Sequence, residues 1–134
     1  MSVIGDFLMS IAGISDTRVL DPEHWQLDAN VVTIKIDRVP ALQRHGGAVC
    51  LKGKGLKDPV LVVCDNEGFY RSFSNKCTHF GRKLDPVVGK PVLRCCSVNH
   101  STFNYLGNNL SGPAKKPIRA YLTELKSGEL VIVI

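Results

Sequence analysis

The stretch CTHFGRKLDPVVGKPVLRCCSVNHSTF, Cys77 to Phe103, holds three of the chain's five cysteines and two of its four histidines. Cys77 and His79 flank a single residue. In an extended segment alternate side chains point the same way, so both can face one centre. Cys95, Cys96 and His100 follow after KPVLRC (90–95), which reads as a strand. Two loops held side by side on a β-scaffold would bring thiolates and imidazoles to one site. Thiolates suit iron–sulfur clusters, and neutral imidazoles suit iron or zinc. On ligand type alone, a tetrahedral Cys2His2 zinc site is an alternative.

The flanking sequence predicts the scaffold. NVVTIKIDRV (30–39) alternates Val32, Ile34 and Ile36 with Thr33, Lys35 and Asp37, the period of a strand. GGAVCLKG (46–53) predicts a short strand between glycines. Val60 to Cys64 and Phe69 to Phe73, around Asp65-Asn66-Glu67-Gly68, predict a hairpin. STFNYLGNNL (101–110) predicts two very short strands about Leu106-Gly107-Asn108. RAYLTELKSGELVIVI (119–134) predicts a closing hairpin turning at Lys126-Ser127-Gly128. Short strands with closely spaced turn signals indicate an antiparallel sandwich or small barrel.

Upstream the texture differs. Val3, Ile4, Phe7, Leu8, Ile11 and Ile14 recur at helical intervals and predict a short amphipathic helix stopping near Gly13. It would cover the domain's own core or dock a partner or a second copy of the chain. Pro22 in DPEHWQL suits a first helical position. Residues 1–29 therefore read as an N-terminal helical extension and 30–134 as one domain, the number expected of 134 residues. The apolar N-terminus is too short to span a bilayer and lacks a basic leader region, which predicts a cytoplasmic, reducing location. There, clustered Cys and His point to metal before disulfides. The net charge of +5 favours acidic partners by steering. Without a dense Lys/Arg run interleaved with aromatics, nucleic acid is not expected as a partner.

CTHFGRKL resembles the first box of Rieske [2Fe–2S] domains, Cys-x-His-x-Gly-x-x-Leu, at Cys77, His79, Gly81 and Leu84. CCSVNHSTF resembles the second box, Cys-x-x-His-x-x-x-(Phe/Tyr). LSGPAKKPIRAYLTELKSGELVIVI resembles the Gly-Pro-Ala loop and closing strands that end such domains. The resemblance covers residues 30–134 and disfavours zinc. It implies a Rieske-like antiparallel β-sandwich, so that with the short N-terminal helix read above the chain would be mostly β. It further implies a [2Fe–2S] cluster held by Cys77, His79, Cys96 and His100, with Cys95 as the alternative thiolate. Phe80, Pro113 and the Gly112 loop would shield it. The implied function is a soluble one-electron carrier, a Rieske-type ferredoxin and not an enzyme itself, serving a reductase, oxygenase or other redox partner. The alternative is a Rieske-fold binding or structural subunit that has lost or altered its cluster.

The second box departs from the pattern. His100 lies five positions after Cys95 and four after Cys96, where the family has three. Leu93-Arg94-Cys95 matches the upstream approach, whereas Phe103, seven positions after Cys96, matches the downstream register. Three readings follow: Cys96 and His100 ligate across a one-residue bulge; Cys95 ligates, alone or with Cys96; or the fold persists without a cluster. The additional cysteines of respiratory Rieske proteins are absent, because Arg82 stands at the first-box position.

Cys50 and Cys64 sit among apolar strand residues and read as buried hydrophobes. His24 reads as packing or capping, and His45 as an exposed turn residue. Gly53 and Gly55 lack the helix and Gly-Lys-Ser/Thr of a phosphate loop. Arg82 and Lys83, beside the first box, read equally as solvated charge or as a rim for an acidic partner. No serine or cysteine has a base partner for nucleophilic catalysis.

Overall fold

The structure, a computed structural model, describes residues 17–78, 83–87, 89–96 and 101–134. Its centre is VLVVC, strand β4 (Val60–Cys64), whose five residues are all buried. An unbroken apolar run is what a strand covered on both faces requires. Val60 and Val62 point into one core and Leu61 and Val63 into another. Full burial of each such side chain contributes about 1.5–3 kcal/mol.

Seven antiparallel strands form the larger sheet, in the order β1 (Trp25–Asp28), β2 (Val31–Lys35), β11 (Glu129–Val133), β10 (Ala120–Lys126), β5 (Tyr70–Ser74), β4 and β3 (Ala48–Leu51). The first core joins the two ends of this sheet. Trp25, Val32, Ile34, Leu130 and Ile132 from one end pack with Val49, Leu51, Val60 and Val62 from the other. The sheet therefore curls into a half-barrel, as the sequence reading of a small antiparallel β-architecture anticipates.

A second sheet of four short strands, β6 (Leu84–Pro86), β7 (Val92–Cys95), β8 (Thr102–Asn104) and β9 (Asn109–Ser111), packs on the outer side of β4 and β5. The second core lies between: Leu61, Val63 and Phe73 meet Leu84, Leu93, Cys95 and Phe103. This small sheet interrupts the large one between two paired strands. Phe73 of β5 pairs with Ala120 of β10, and the Ser74 amide donates to the Arg119 carbonyl at 2.8 Å.

The segment before residue 30 differs from its helical reading. The helix expected over residues 3–14 lies outside the described residues. Pro22 does open a helical turn, but only a 3-10 turn, Pro22–His24, in which the Asp21 carboxylate caps the Glu23 amide at 3.1 Å. The chain then becomes β1, because Trp25 and Leu27 alternate with Gln26 and Asp28 and pair with β2. Burial of Trp25 at 1% exposure outweighs the local helical signal. Val19 also bridges to Cys50, so the described part of residues 1–29 is joined to the large sheet. Ile36–Arg38 leaves the predicted strand as a second 3-10 turn. No helix among the described residues is long and apolar enough to cross a membrane.

Candidate metal centre

Three loops meet at one end of the small sheet. The first leaves β5 and reaches β6; the second joins β7 to β8; the third runs from β9 to β10. Thr78 Oγ1 donates to the Lys116 carbonyl at 2.6 Å, tying the first loop to the third. The Ala114 amide donates to Ser101 Oγ at 2.9 Å, tying the third to the second. The Cys96 amide donates to the Lys83 carbonyl at 3.0 Å, tying the second to the first. Ser101, itself buried, also accepts the Cys95 amide at 2.8 Å. The third loop, through Ala114 and Lys116, thus bridges the two loops that carry the cysteines and histidines.

Cys77, Cys95 and Cys96 are all buried at this end. Cys77 and Cys95 belong to the core between the sheets, with Leu84, Leu93 and Phe103. Cys95 sits opposite Leu84 across the β6–β7 ladder, on the same face as Leu93. Cys96 lies one residue beyond β7, also buried but outside that core, with the Asp85 carboxylate near it. Its thiol feels that setting. Burial raises its pKa above the ordinary thiol range, neighbouring Cys95 and the Asp85 carboxylate push it further up, and main-chain groups of Lys83 and Cys96 pull it partly back. His79 and His100 lie outside the described residues, as do Phe80, Gly81 and Arg82. Among the described residues no three potential ligands form a metal-binding group.

Residues not singled out by sequence hold these loops in place. Asn75 is 1% exposed and braces the base of the first loop. Its Oδ1 accepts the Leu84 amide at 2.7 Å, closing the loop that spans residues 76–83, and its Nδ2 donates to Cys50 Sγ at 3.1 Å on β3. Cys50 is therefore buried as expected, and its sulfur is also an acceptor. Asp85 Oδ1 accepts from both the amide (3.0 Å) and the hydroxyl (2.6 Å) of Thr17. Gly107, at φ +90°, receives the third loop: the Ile118 amide donates to its carbonyl at 2.8 Å, and a Cβ here would meet the Ile118 oxygen at 2.2 Å. The available signal was position: Asn75 two residues before Cys77, and Gly107 between two predicted strands. Cys64 is buried and His45 exposed, as their sequence contexts predict.

The donor set is compatible with an iron–sulfur group on its thiolate side. Cys77 of the first loop and Cys95 at the end of β7 belong to one apolar core, where uncompensated thiolates are costly and a cationic iron centre would neutralise them.

No protein-family model matches the chain, and no curated protein sequence is significantly similar to it. Solved structures are similar. A ferredoxin of carbazole 1,9a-dioxygenase, solved in complex with the reduced oxygenase, superposes with a TM-score of 0.61 at 20% identity, over 75% of this chain and 92% of that one. The carbazole 1,9a-dioxygenase ferredoxin of Nocardioides aromaticivorans IC177 gives 0.61 at 19% identity, over 75% and 93%. The plasma membrane Rieske protein PetC3 of Synechocystis PCC 6803 gives 0.53 at 27% identity, over 63% and 86%. The chain has the Rieske fold. Within that fold the small sheet and its three loops are where the sequence boxes fall.

Proposed function

We propose that the chain is a one-electron carrier of the Rieske ferredoxin type. Cys77 and a second thiolate at the end of β7 would hold one iron of a [2Fe–2S] cluster, and His79 and His100 the other. Such a cluster, when bound, takes up and releases one electron. The single observation that carries this reading is the burial of Cys77 and Cys95 in one apolar core at the meeting point of the loops. The same packing favours Cys95 over Cys96 as the second thiolate, because Cys95 shares the core with Cys77 whereas Cys96 does not and has the Asp85 carboxylate near it. Asn75, Ser101 and the Ala114 loop would fix the loops and keep water from the thiolate side. The electron's donor or acceptor is proposed to be an oxidoreductase, as the pairing of the carbazole dioxygenase ferredoxin with its oxygenase illustrates.

Protein purified without oxygen should be brown, with two irons and two sulfides per chain. Cys95, Cys96 and His100 are then replaced one at a time and read by iron content and visible absorption. Cys95→Ala should lose iron and Cys96→Ala should keep most of it. A normal spectrum in His100→Ala would remove that residue from the ligand set. Colourless protein after iron–sulfur reconstitution would sink the carrier reading and leave a cluster-free binding subunit.

A further inference from the structure

Charge is divided unevenly along the chain. Residues 70–120 contain nine Lys/Arg (Arg71, Lys76, Arg82, Lys83, Lys90, Arg94, Lys115, Lys116, Arg119) and one acid, Asp85, a net of +8. The remainder has eight bases and eleven acids, a net of −3. The span 70–120 contains the whole small sheet and its three loops. Its one acid, buried and hydrogen-bonded to Thr17, is already counted in that net.

The geometry concentrates part of this charge at the loop end. Lys115 and Lys116 are exposed on the third loop, which is hydrogen-bonded to the first through Thr78 and to the second through Ser101. They therefore stand between the two loops that carry the candidate ligands. Lys76, exposed, immediately precedes Cys77, and Lys83 closes the same loop. Among the described residues, the one acid paired with these four lysines is Asp58, 3.9 Å from Lys76 and itself partly exposed. A contact this long between exposed groups cancels little of the field.

We propose that this end of the molecule is a cationic docking face for an acidic patch on a protein partner. The inference rests on the carrier reading for the partner's redox role, but the face itself does not depend on a bound cluster. Like-signed charge around one end steers an oppositely charged partner so that this end meets it first. The chain has no dense Lys/Arg run interleaved with aromatics, and the carrier reading calls for a redox protein, so a protein is favoured over nucleic acid or a membrane.

The test uses the full chain and a short fluorescein-labelled peptide rich in Glu and Asp, read by anisotropy. Binding should weaken steeply as salt rises from about 20 to about 200 mM. The Lys115→Glu/Lys116→Glu variant should bind at least about 10-fold more weakly, whereas Lys35→Glu/Lys126→Glu, with the same change of net charge on the large sheet, should differ by less than about 2-fold. Equal losses in the two variants would overturn the face, since only total charge would then matter. Tighter binding to duplex DNA or to anionic phosphatidylserine vesicles than to the peptide would overturn the choice of partner. Absorption is recorded on the same samples. Colourless protein that still discriminates the two variants refutes the carrier and keeps the face; brown protein that does not discriminate refutes only the face.

Discussion

The two cores share strand β4 and differ in almost everything else. The core inside the curled sheet is made of Trp25 and aliphatic side chains, closed by residues far apart in sequence. The core between the sheets contains two cysteines and ends in loops held by hydrogen bonds that Asn75 and Ser101 accept and Thr78 donates. Dispersion and apolar burial secure the first; polar contacts position the second. Apolar burial thus supports both cores, but only the second, where the candidate site lies, also depends on a few specific polar bonds that position its loops.

Truncation in the first core should have the largest effect. Trp25→Ala should cost about 3–5 kcal/mol in urea denaturation, since it empties a site closed by both ends of the sheet. Any iron should remain at normal stoichiometry in the fraction that stays folded. Gly107→Ala acts on the second region. It forces a side chain onto the Ile118 carbonyl and a left-handed backbone, and should cost about 3 kcal/mol. A loss below about 1 kcal/mol would mean that the third loop moves aside easily.

Asn75→Ala should cost about 2 kcal/mol, because it leaves the buried Leu84 amide without its acceptor. Its distinguishing result is local: hydrogen exchange at the Leu84 amide should accelerate well beyond that of Val62, and iron retention should fall. Uniform acceleration across both cores would erase the division drawn here. The smallest expected effect lies on the shared strand. Burial, aided by Asp65, raises the Cys64 thiol above its ordinary pKa of 9.0. The folded chain then keeps a proton that the unfolded chain releases, so stability falls as pH rises above about 9. Cys64→Ala should flatten that part of the stability–pH curve, and an unchanged slope would show that the thiol titrates alike in both states.

Much of this was legible before the fold was known. The β4–β5 and β10–β11 hairpins follow from their apolar runs and turn residues, and β4 runs from Val60 to Cys64 as expected. β1 was obscured by Pro22, whose helical preference is satisfied within three residues before Trp25 is buried. β6 has only Leu84-Asp85-Pro86, too short for any period, and exists because β7 pairs with it. At the site, the boxes place cysteines on adjacent loops, but they carry no information on which of two neighbouring thiols faces the core. That depends on strand register: Leu84 opposite Cys95 turns the Cys95 side chain into the core between the sheets. The braces were hidden for another reason. Asn75 looks like a turn residue, and its value lies in two partners distant in sequence.

The junction at Ser74 and Arg119 has a consequence for how such a protein can be made and altered. The chain leaves and re-enters the half-barrel at a single hydrogen-bonded point, so the small sheet behaves topologically as a cassette inserted into an ordinary hairpin. Its loops can lengthen, change ligands or lose them with no rethreading of the strands beneath. The one-residue slip in the second box is a change of that kind. Removal of the cassette would be limited by the outward face of β4, where Leu61 and Val63, with Phe73 beside them, would be left wet. A chain that discarded the site would have to repaint that face or recruit a new cover for it.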